Sequence, residues 1–450
     1  MGMTGMTGLT QELGQFIATL DGAAVPAPAR AAVRRGIADC VGVMLAGRNE
    51  PVVELAAATI AVAADGEAGV LVDRGRAPAA DAAFVNATAA HVFDYDDTGL
   101  DGHPSAVLAP VVLAEAERVG ARWGDGITAY VAGYETWAEL SGRDLDRHHG
   151  KGWHPTAVFG TVAAAAAAAW FRRLPPAQAA HALGIAASMA AGVVANFGSM
   201  TKSLQVGWAV RNGMHAAALA ERGATAAPDA LEHPRGLLAA LSPAGRVRLD
   251  GPCQAGRPWQ IERQGLNIKR YPVCYALHRA VDAAAALHPA LAGRAAEIEQ
   301  VVVHLGRLQA AMLRAPRPTA GLDARFSAEY AIACMLLRGH VKLADFDDAR
   351  VNEAAVQALL RKVAVQPDAA VDELEPIFSP ADHVELLLRD GTRLVSEPVA
   401  RALGHATRPI DAAALQAKFD DCAGRSAAPP LAARLWTRLM DAGDDERVRG

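Results

Sequence analysis

His154-Pro155-Thr156-Ala157-Val158 opens an alanine-rich run that continues to Arg172, and it nearly repeats an earlier phrase, His103-Pro104-Ser105-Ala106-Val107. Pro is tolerated in the first helical turn, where its missing N–H is not needed, and a neighbouring Ser or Thr can cap the free N–H groups. Both phrases are therefore predicted helix starts. A helix start carries partial positive charge and unpaired donors, so it favours anions. A His placed there adds a proton donor or acceptor that works near neutral pH. Taken structurally, each His-Pro is only a helix boundary. Taken together, the two copies read as one device used twice, suited to holding two carboxylates of one small substrate.

Composition agrees with a helical reading. The 450 residues are enough for two or three domains, 52% are hydrophobic, and only 5% are aromatic. Heavy use of Ala with few aromatics points to close-packed helices and away from a β-sandwich. The formal charge is −5 and the Lys and Arg residues are scattered, so no nucleic-acid surface is expected. Five Cys at wide spacings, with no C-x-x-C, signal neither a zinc ribbon nor an iron–sulfur cluster. A reducing, cytoplasmic compartment is the simple expectation. The first residues lack a charged segment followed by an apolar one, so no secretory signal is expected. Ala179 to Met200 has no charged residue, but His181, Asn196 and several Gly and Ser interrupt it. A buried helix or helix pair is expected there, not a membrane span.

Apolar positions recurring at i, i+3 and i+4 predict helices at Pro28–Leu45, Ala79–Phe93, Ile127–Leu140, Thr156–Arg172 and Ser203–Arg222. Gly223 to Gly265 reads as a loop-laden connection. After Lys269 the texture changes. Ile298–Leu305 suits a strand, Val363–Val365 a second, and His383–Leu388 with Thr392–Ser396 flank Asp390-Gly391, a strong hairpin signal. Helices around Ala324–Leu337 and Asn352–Leu360 lie between the strands. The chain thus reads as mainly α: a helical domain over residues 1–266, a smaller α+β unit over 267–399, and a helical return over 400–450 that rejoins the first domain.

Several residues stand out chemically. Asp94-Tyr95-Asp96-Asp97-Thr98 follows a helix that contains His91. If the helix continues, Asp94, Thr98 and His91 share one face. Acidic groups oppose the dipole at a helix C-terminus, so the run is odd as decoration. Asp94-x-Asp96-x-Thr98-Gly99 imitates the start of a calcium loop, but Ser105 replaces the Glu at the twelfth position and Pro104 intrudes, so no metal is expected. Lys202 precedes an apolar helix and is costly there unless it meets an anion; its bland alternative is snorkelling to water. Lys269-Arg270-Tyr271-Pro272 places two cations at the proposed domain junction, where ligand clefts are favoured; its bland alternative is a charged linker. Cys274 and His278 share a predicted helix face, as a nucleophile pair or as core and rim. Tyr330 offers a phenol or simple packing. No Rossmann glycine pattern, P-loop, H-E-x-x-H or nucleophile elbow is present, which leaves cofactor-free acid–base chemistry on an anionic substrate.

With these residues assembled, the chain resembles the MmgE/PrpD family of 2-methylcitrate dehydratases and cis-aconitate decarboxylases. The resemblance rests on the acidic run, His103-Pro104-Ser105, Gly152-Trp153-His154-Pro155-Thr156, Thr201-Lys202-x-Leu204-x-x-Gly207, Lys269-Arg270-Tyr271-Pro272, Phe326-Ser327-x-x-Tyr330 and Lys418-Phe419, nearly end to end and in order. It implies a large all-helical domain built from both chain ends, an α+β lid inserted between them, and a homodimer. It also implies a site between domain and lid that uses Asp94, Thr98, His103, His154, Lys202, Lys269 and Tyr330. This chain departs from the pattern in three places. Gly99 stands where relatives often carry His, and Gln205 replaces a His common after the Lys202 motif. Cys274 stands where the decarboxylase branch carries a His, which turns the expectation away from decarboxylation.

The expected activity is a cytoplasmic hydro-lyase, without cofactor or metal, that converts 2-methylcitrate to 2-methylaconitate in propionate catabolism. Lys202, Lys269 and the two helix starts would neutralise carboxylates, with Thr98, Arg270, Cys274 and His278 as further substrate contacts. One of His103, His154 and Asp94 would take the proton, and Tyr330 would close the site from the lid. The rival readings are an epimerase of a substituted succinate, a cis-aconitate decarboxylase and an inactive helical scaffold. No nucleic acid or membrane partner is expected.

Overall fold

Ala163 to Ala169 are all fully buried, and this run decides how the helices around it pack. The computed structural model describes residues 8–71, 74–291, 293–426 and 429–448. The chain divides into two units, Met1–Leu266 with Leu415–Gly450, and Asn267–Ala414. The longer helices of the first unit are α1 (Leu9–Thr19), α2 (Ala27–Gly47), α3 (Ala79–His91), α4 (Pro104–Val119), α5 (Trp123–Ser141), α6 (Pro155–Phe171), α7 (Pro176–Ala187) and α8 (Thr201–Glu221). α6 lies among α4, α5, α7 and α8. Its methyl side chains let neighbouring backbones come close. A Cβ on Gly213 of α8 would sit 2.5 Å from Thr161 O and 2.7 Å from Ala165 N, and one on Gly207 would sit 2.7 Å from Phe84 O of α3. Only glycine fits these crossings, so α8 is locked between α6 and α3.

The first unit is not purely helical, as the resemblance implied. Strands β1 (Ala68–Gly69) and β2 (Arg76–Ala77) form a short antiparallel pair. The stretch from Ala179 to Met200 is not one helix. α7 ends at Ala187, and a 3₁₀ turn follows at Val194–Asn196. Among the described residues, no helix is long and apolar enough to cross a membrane.

In the second unit, α9 (His278–Leu291) and α10 (Ala328–Arg338) pack on a four-stranded sheet. Its strands are β3 (Ile298–Gly306), β4 (Val363–Asp368), β5 (His383–Leu388) and β6 (Arg393–Val395), in the order β4-β3-β5-β6. β3 runs parallel to β4 and antiparallel to β5. The Asp390-Gly391 signal does mark the β5–β6 turn, with Gly391 at φ +85°. Alternate residues Val301, Val303, Leu305, Val384 and Leu386 face the core.

Residues 400–414, expected to belong to the helical return, fold with the second unit instead. Asp282 accepts the Leu403 N–H at 2.6 Å, and the Ile268 N–H reaches Gly404 O at 2.8 Å. Asn267 accepts the Ala406 N–H at 2.9 Å. These partners lie more than a hundred residues away in sequence, so the boundary leaves no periodic trace.

The return to the first unit is made by α11 (Ala412–Ala423) and α12 (Pro429–Met440). Its anchor is Lys418, whose Nζ lies 2.5 Å from Asp39 Oδ1 on α2 and donates to Tyr95 O at 2.9 Å. Both side chains are buried. Burial pushes the Asp39 carboxyl up and Lys418 pulls it back. Removing one partner of a buried pair strands the other charge, which costs about 3–5 kcal/mol. Lys418→Met is therefore expected to lower unfolding stability in urea by about that amount, and Asp39→Asn combined with it is expected to recover most of the loss.

Candidate active site

The acidic run does not continue the helix. α3 ends at His91, residues 92–97 run through turns, and Asp94 takes a left-handed φ of +52°. Asp94 and Thr98 therefore share no helical face. Thr98 is half-buried, with no hydrogen-bond partner for its hydroxyl. The chain then reverses through a tight turn. Gly99 and Gly102 exchange backbone hydrogen bonds at 3.0 and 2.8 Å, and the central Leu100 and Asp101 both have positive φ, +52° and +59°. Such a mirror-image turn is unusual without Gly or Asn at its centre. Trp137 Nε1 holds it by donating to Leu100 O at 3.2 Å, and Arg147 pairs with Asp101 at 2.7 Å. This turn brings His103 back over the acidic run.

The two helix starts are built differently from expectation. Neither His103 nor His154 caps its helix by a side-chain hydrogen bond. Ser105 does not cap α4 either, because its hydroxyl shares a short hydrogen bond with Asp97 and contacts Tyr130 Oη at 2.7 Å. The cap comes from Asp97, which accepts the Ser105 N–H at 3.0 Å. Burial, against the pull of Ser105, pushes the Asp97 carboxyl up to about 8. At the start of α6 the Thr156 hydroxyl is buried with no partner.

Around these starts the first unit gathers a polar cluster. Asp96 is fully buried, and its Oδ2 lies 2.9 Å from His91 Nδ1 and 3.0 Å from His103 Nδ1. Burial pushes Asp96 up, but the two imidazoles prevail and hold it well below the usual carboxylate range. Asp96 is thus an ionised acceptor, and it directs the N–H of His91 toward itself. Burial, against the pull of Asp96, lowers His91 to about 4, so its ring is neutral at physiological pH. The His91 ring packs against His103 at 4.6 Å and His154 at 5.8 Å. His154 Nδ1 lies 2.7 Å from Gln205 Oε1, while Gln205 Nε2 donates to Val193 O at 3.0 Å. That second bond fixes the amide, so His154 carries its proton on Nδ1 and leaves a lone pair on Nε2. Burial, with His91 and Lys202 beside it, holds His154 well below its ordinary value.

Lys202 supplies the cation. Its Nζ lies 2.5 Å from Asp94 Oδ1, and His103 Nε2 lies 3.7 Å from the same oxygen. Phe197 walls this group, with its ring 5.3 Å from the ammonium and edge-to-face on His154 at 4.9 Å. His91, Asp94 and His103 offer donor atoms within 4.8 Å of one another, spacing that suits a cation, and Lys202 meets Asp94 there. Asp94, His103, His154 and Lys202 are therefore brought together by the first unit alone. Asp96, Phe197 and Gln205 complete the group. Asp96 was visible in the acidic run and Gln205 as a departure from the family pattern, whereas Phe197 carried no signal of its own.

The remaining candidates belong to the second unit. Lys269 is buried and Arg270 is exposed, with its guanidinium 3.6 Å from Asp282. Cys274 and His278 do not share a helix face. Cys274 precedes a 3₁₀ turn at Tyr275–Leu277, and His278 is the first residue of α9, packed on Tyr271 and Tyr275. Tyr330 is fully buried in α10, and its hydroxyl donates to Asp345 O. Its one O–H is thus used inside the unit.

Two family models cover the chain, the MmgE/PrpD N-terminal domain over residues 11–250 and the MmgE/PrpD C-terminal domain over residues 271–437. The chain belongs to the MmgE/PrpD family. It is similar to the cis-aconitate decarboxylase of Homo sapiens, 29% identical over 356 residues, which covers 76% of this chain and 72% of that protein. The Mus musculus enzyme of the same name is 30% identical over 364 residues, with the same coverage. The Aspergillus terreus enzyme of that name is 29% identical over 350 residues, 72% of this chain and 70% of its own.

The neutral His91 has a consequence for stability. Its value is about 4 in the folded chain and about 6.5 when unfolded. Between these limits the unfolded chain binds a proton that the native state refuses, so stability falls as pH drops. Between pH 7 and pH 5 this one group is expected to remove about 2 kcal/mol. Urea unfolding at the two pH values checks it, and His91→Gln is expected to shrink the difference by that amount.

Proposed function

We propose that this protein is a lyase that decarboxylates an unsaturated tricarboxylate of the cis-aconitate class, using its own side chains. The observation that carries the reading is the Lys202 ammonium, set against Asp94 beside His103 and His154 at two helix starts. The decarboxylase relatives support it over the dehydration favoured by the departures in sequence.

The local charge balance sets the requirements. Asp94 and Asp96 oppose one Lys202, so this cluster holds no surplus positive charge for a multiply anionic substrate. The N-termini of α4 and α6 add partial positive charge. Thr156, with its unpartnered hydroxyl, is proposed as a donor to a carboxylate at the α6 start. Loss of CO₂ breaks a carbon–carbon bond and leaves its electron pair on carbon, conjugated with a neighbouring unsaturated carboxylate. Cations on that carboxylate stabilise the developing charge. One proton then restores the carbon, so tricarboxylate and a proton give dicarboxylate and CO₂. His103, between Asp96 and Asp94, is the proposed proton carrier, and the neutral His154 orients a substrate carboxylate or hydroxyl.

Dehydration of 2-methylcitrate is the second reading, favoured by the free Nε2 lone pair of His154 and by Cys274 at the position of the decarboxylase His. Proton NMR in deuterated buffer separates the two. With cis-aconitate, decarboxylation is expected to give a dicarboxylate carrying one deuterium, with release of CO₂. A new olefinic tricarboxylate from 2-methylcitrate, with no CO₂ from cis-aconitate, would replace the first reading by the second. Deuterium exchange without either product would indicate an epimerase. Lys202→Ala and His103→Gln are each expected to lower kcat/KM about 10²–10⁴-fold while circular dichroism stays unchanged.

A further inference from the structure

The second unit holds a group of imidazole and carboxylate donors, within 4.8 Å of one another, that the proposed reaction does not use. His304 on β3 stands directly opposite His383 on β5 in the antiparallel register, and Glu385 follows two residues along. Strand alternation buries Val303, Leu305, Val384 and Leu386 on one face and leaves His304, His383 and Glu385 half-buried on the other. The two imidazoles lie face to face, with centroids 4.1 Å apart and planes within 3°. Both turn Nε2 toward one atom. Glu385 Oε1 lies 3.4 Å from His304 Nε2 and 3.7 Å from His383 Nε2. The other carboxylate oxygen is held by Arg393 at 3.0 Å, which fixes the direction of Oε1. His304 Nε2 is shielded from solvent and makes no hydrogen bond. A cavity of about 260 Å³ opens beside the pair, lined also by Gln366 and Asp368.

We propose that His304, His383 and Glu385 bind one divalent cation of the zinc class. Two imidazole nitrogens and one carboxylate oxygen are the donor set that zinc, cobalt or nickel prefers, whereas calcium and magnesium demand oxygen. The spacing fits. Bonds of about 2.0–2.1 Å in a tetrahedron place the donors ~3.3 Å apart, close to the 3.4 and 3.7 Å between the histidines and Glu385. Two charged rings stacked this closely would repel each other, and metal binding needs them neutral. Burial and the neighbouring His383 do lower His304. Water from the cavity would fill the fourth position. The ion would clip β3 to β5 across the outer face of the sheet.

The test uses the full-length, tag-free chain, stripped with chelator and titrated with Co²⁺, whose visible ligand-field bands report tetrahedral coordination. Zn²⁺ then competes. The expected result is one such Co²⁺ per chain, displaced by Zn²⁺, with affinity at least about tenfold weaker in His304→Gln and His383→Gln. Glu385→Gln gives the same readout in a variant of nearly unchanged size, should a His variant fail to fold. His103→Gln must leave these bands in place, since His91, Asp94 and His103 are a separate donor group. Absence of Co²⁺ bands in the wild-type chain overturns the proposal. So do unaltered affinity in the folded His304, His383 and Glu385 variants and loss of the bands in His103→Gln.

Discussion

One buried carboxylate, Asp96, organises the polar cluster of the first unit. An ionised group without water is costly, and it persists only where hydrogen bonds and opposite charge replace its solvation. Here His91 and His103 both bring Nδ1 to the same oxygen. That arrangement fixes the His91 tautomer and aims the His103 Nε2 toward Asp94 and Lys202. The mirror-image turn at Gly99–Gly102 is the backbone counterpart of this demand. It holds Leu100 and Asp101 in a conformation that non-glycine residues rarely adopt, costing of order 1–3 kcal/mol for each such residue. Without the reversal, His103 would start α4 away from the carboxylates it serves.

The second requirement is that α4, α6 and α8 meet at fixed spacing, because each contributes to the cluster. His103 and His154 precede α4 and α6, while Lys202 and Gln205 lie on the first turns of α8. Close packing of alanine and glycine surfaces sets that spacing. Two buried groups then secure the loop: Lys418, paired with Asp39 and bonded to Tyr95 O, and Asp97 with Ser105 and Tyr130. The carboxyls have distinct tasks. Asp96 is a charged acceptor, Asp97 is pushed up to about 8 and caps a helix, and Asp39 balances the C-terminal return.

Much of this was legible in sequence because local chemistry decides it. Proline at helix starts and periodic apolar residues marked the helices, Asp390-Gly391 marked a hairpin, and the repeated His-Pro phrase marked both histidine-bearing corners. What escaped notice depends on contacts made over long sequence distances. The end of α3 at His91 follows from the demand of Asp96 for two imidazoles, while helical periodicity suggested continuation through Asp94. Ser105 looked like a cap, yet Asp97 does the capping. Residues 400–414 read as part of the helical return, yet Asp282 and Asn267 hold them in the second unit. The parallel pairing of β3 with β4 spans a long crossover and has no local signature. Gln205 appeared as a missing histidine, whereas in the fold its amide sets which nitrogen of His154 bears hydrogen.

A methyl group has no rotamers. A seam lined by Ala163–Ala169 and crossed at Gly213 therefore cannot relax by side-chain rearrangement when a neighbour is enlarged. The frame is stiff, and evolutionary retuning of selectivity is confined to its fittings. Those fittings are the handful of larger residues projecting beyond the seam, such as Thr156, Phe197 and Gln205. A scaffold of this kind can pass unchanged between chemistries while a few replaceable side chains rewrite what it accepts.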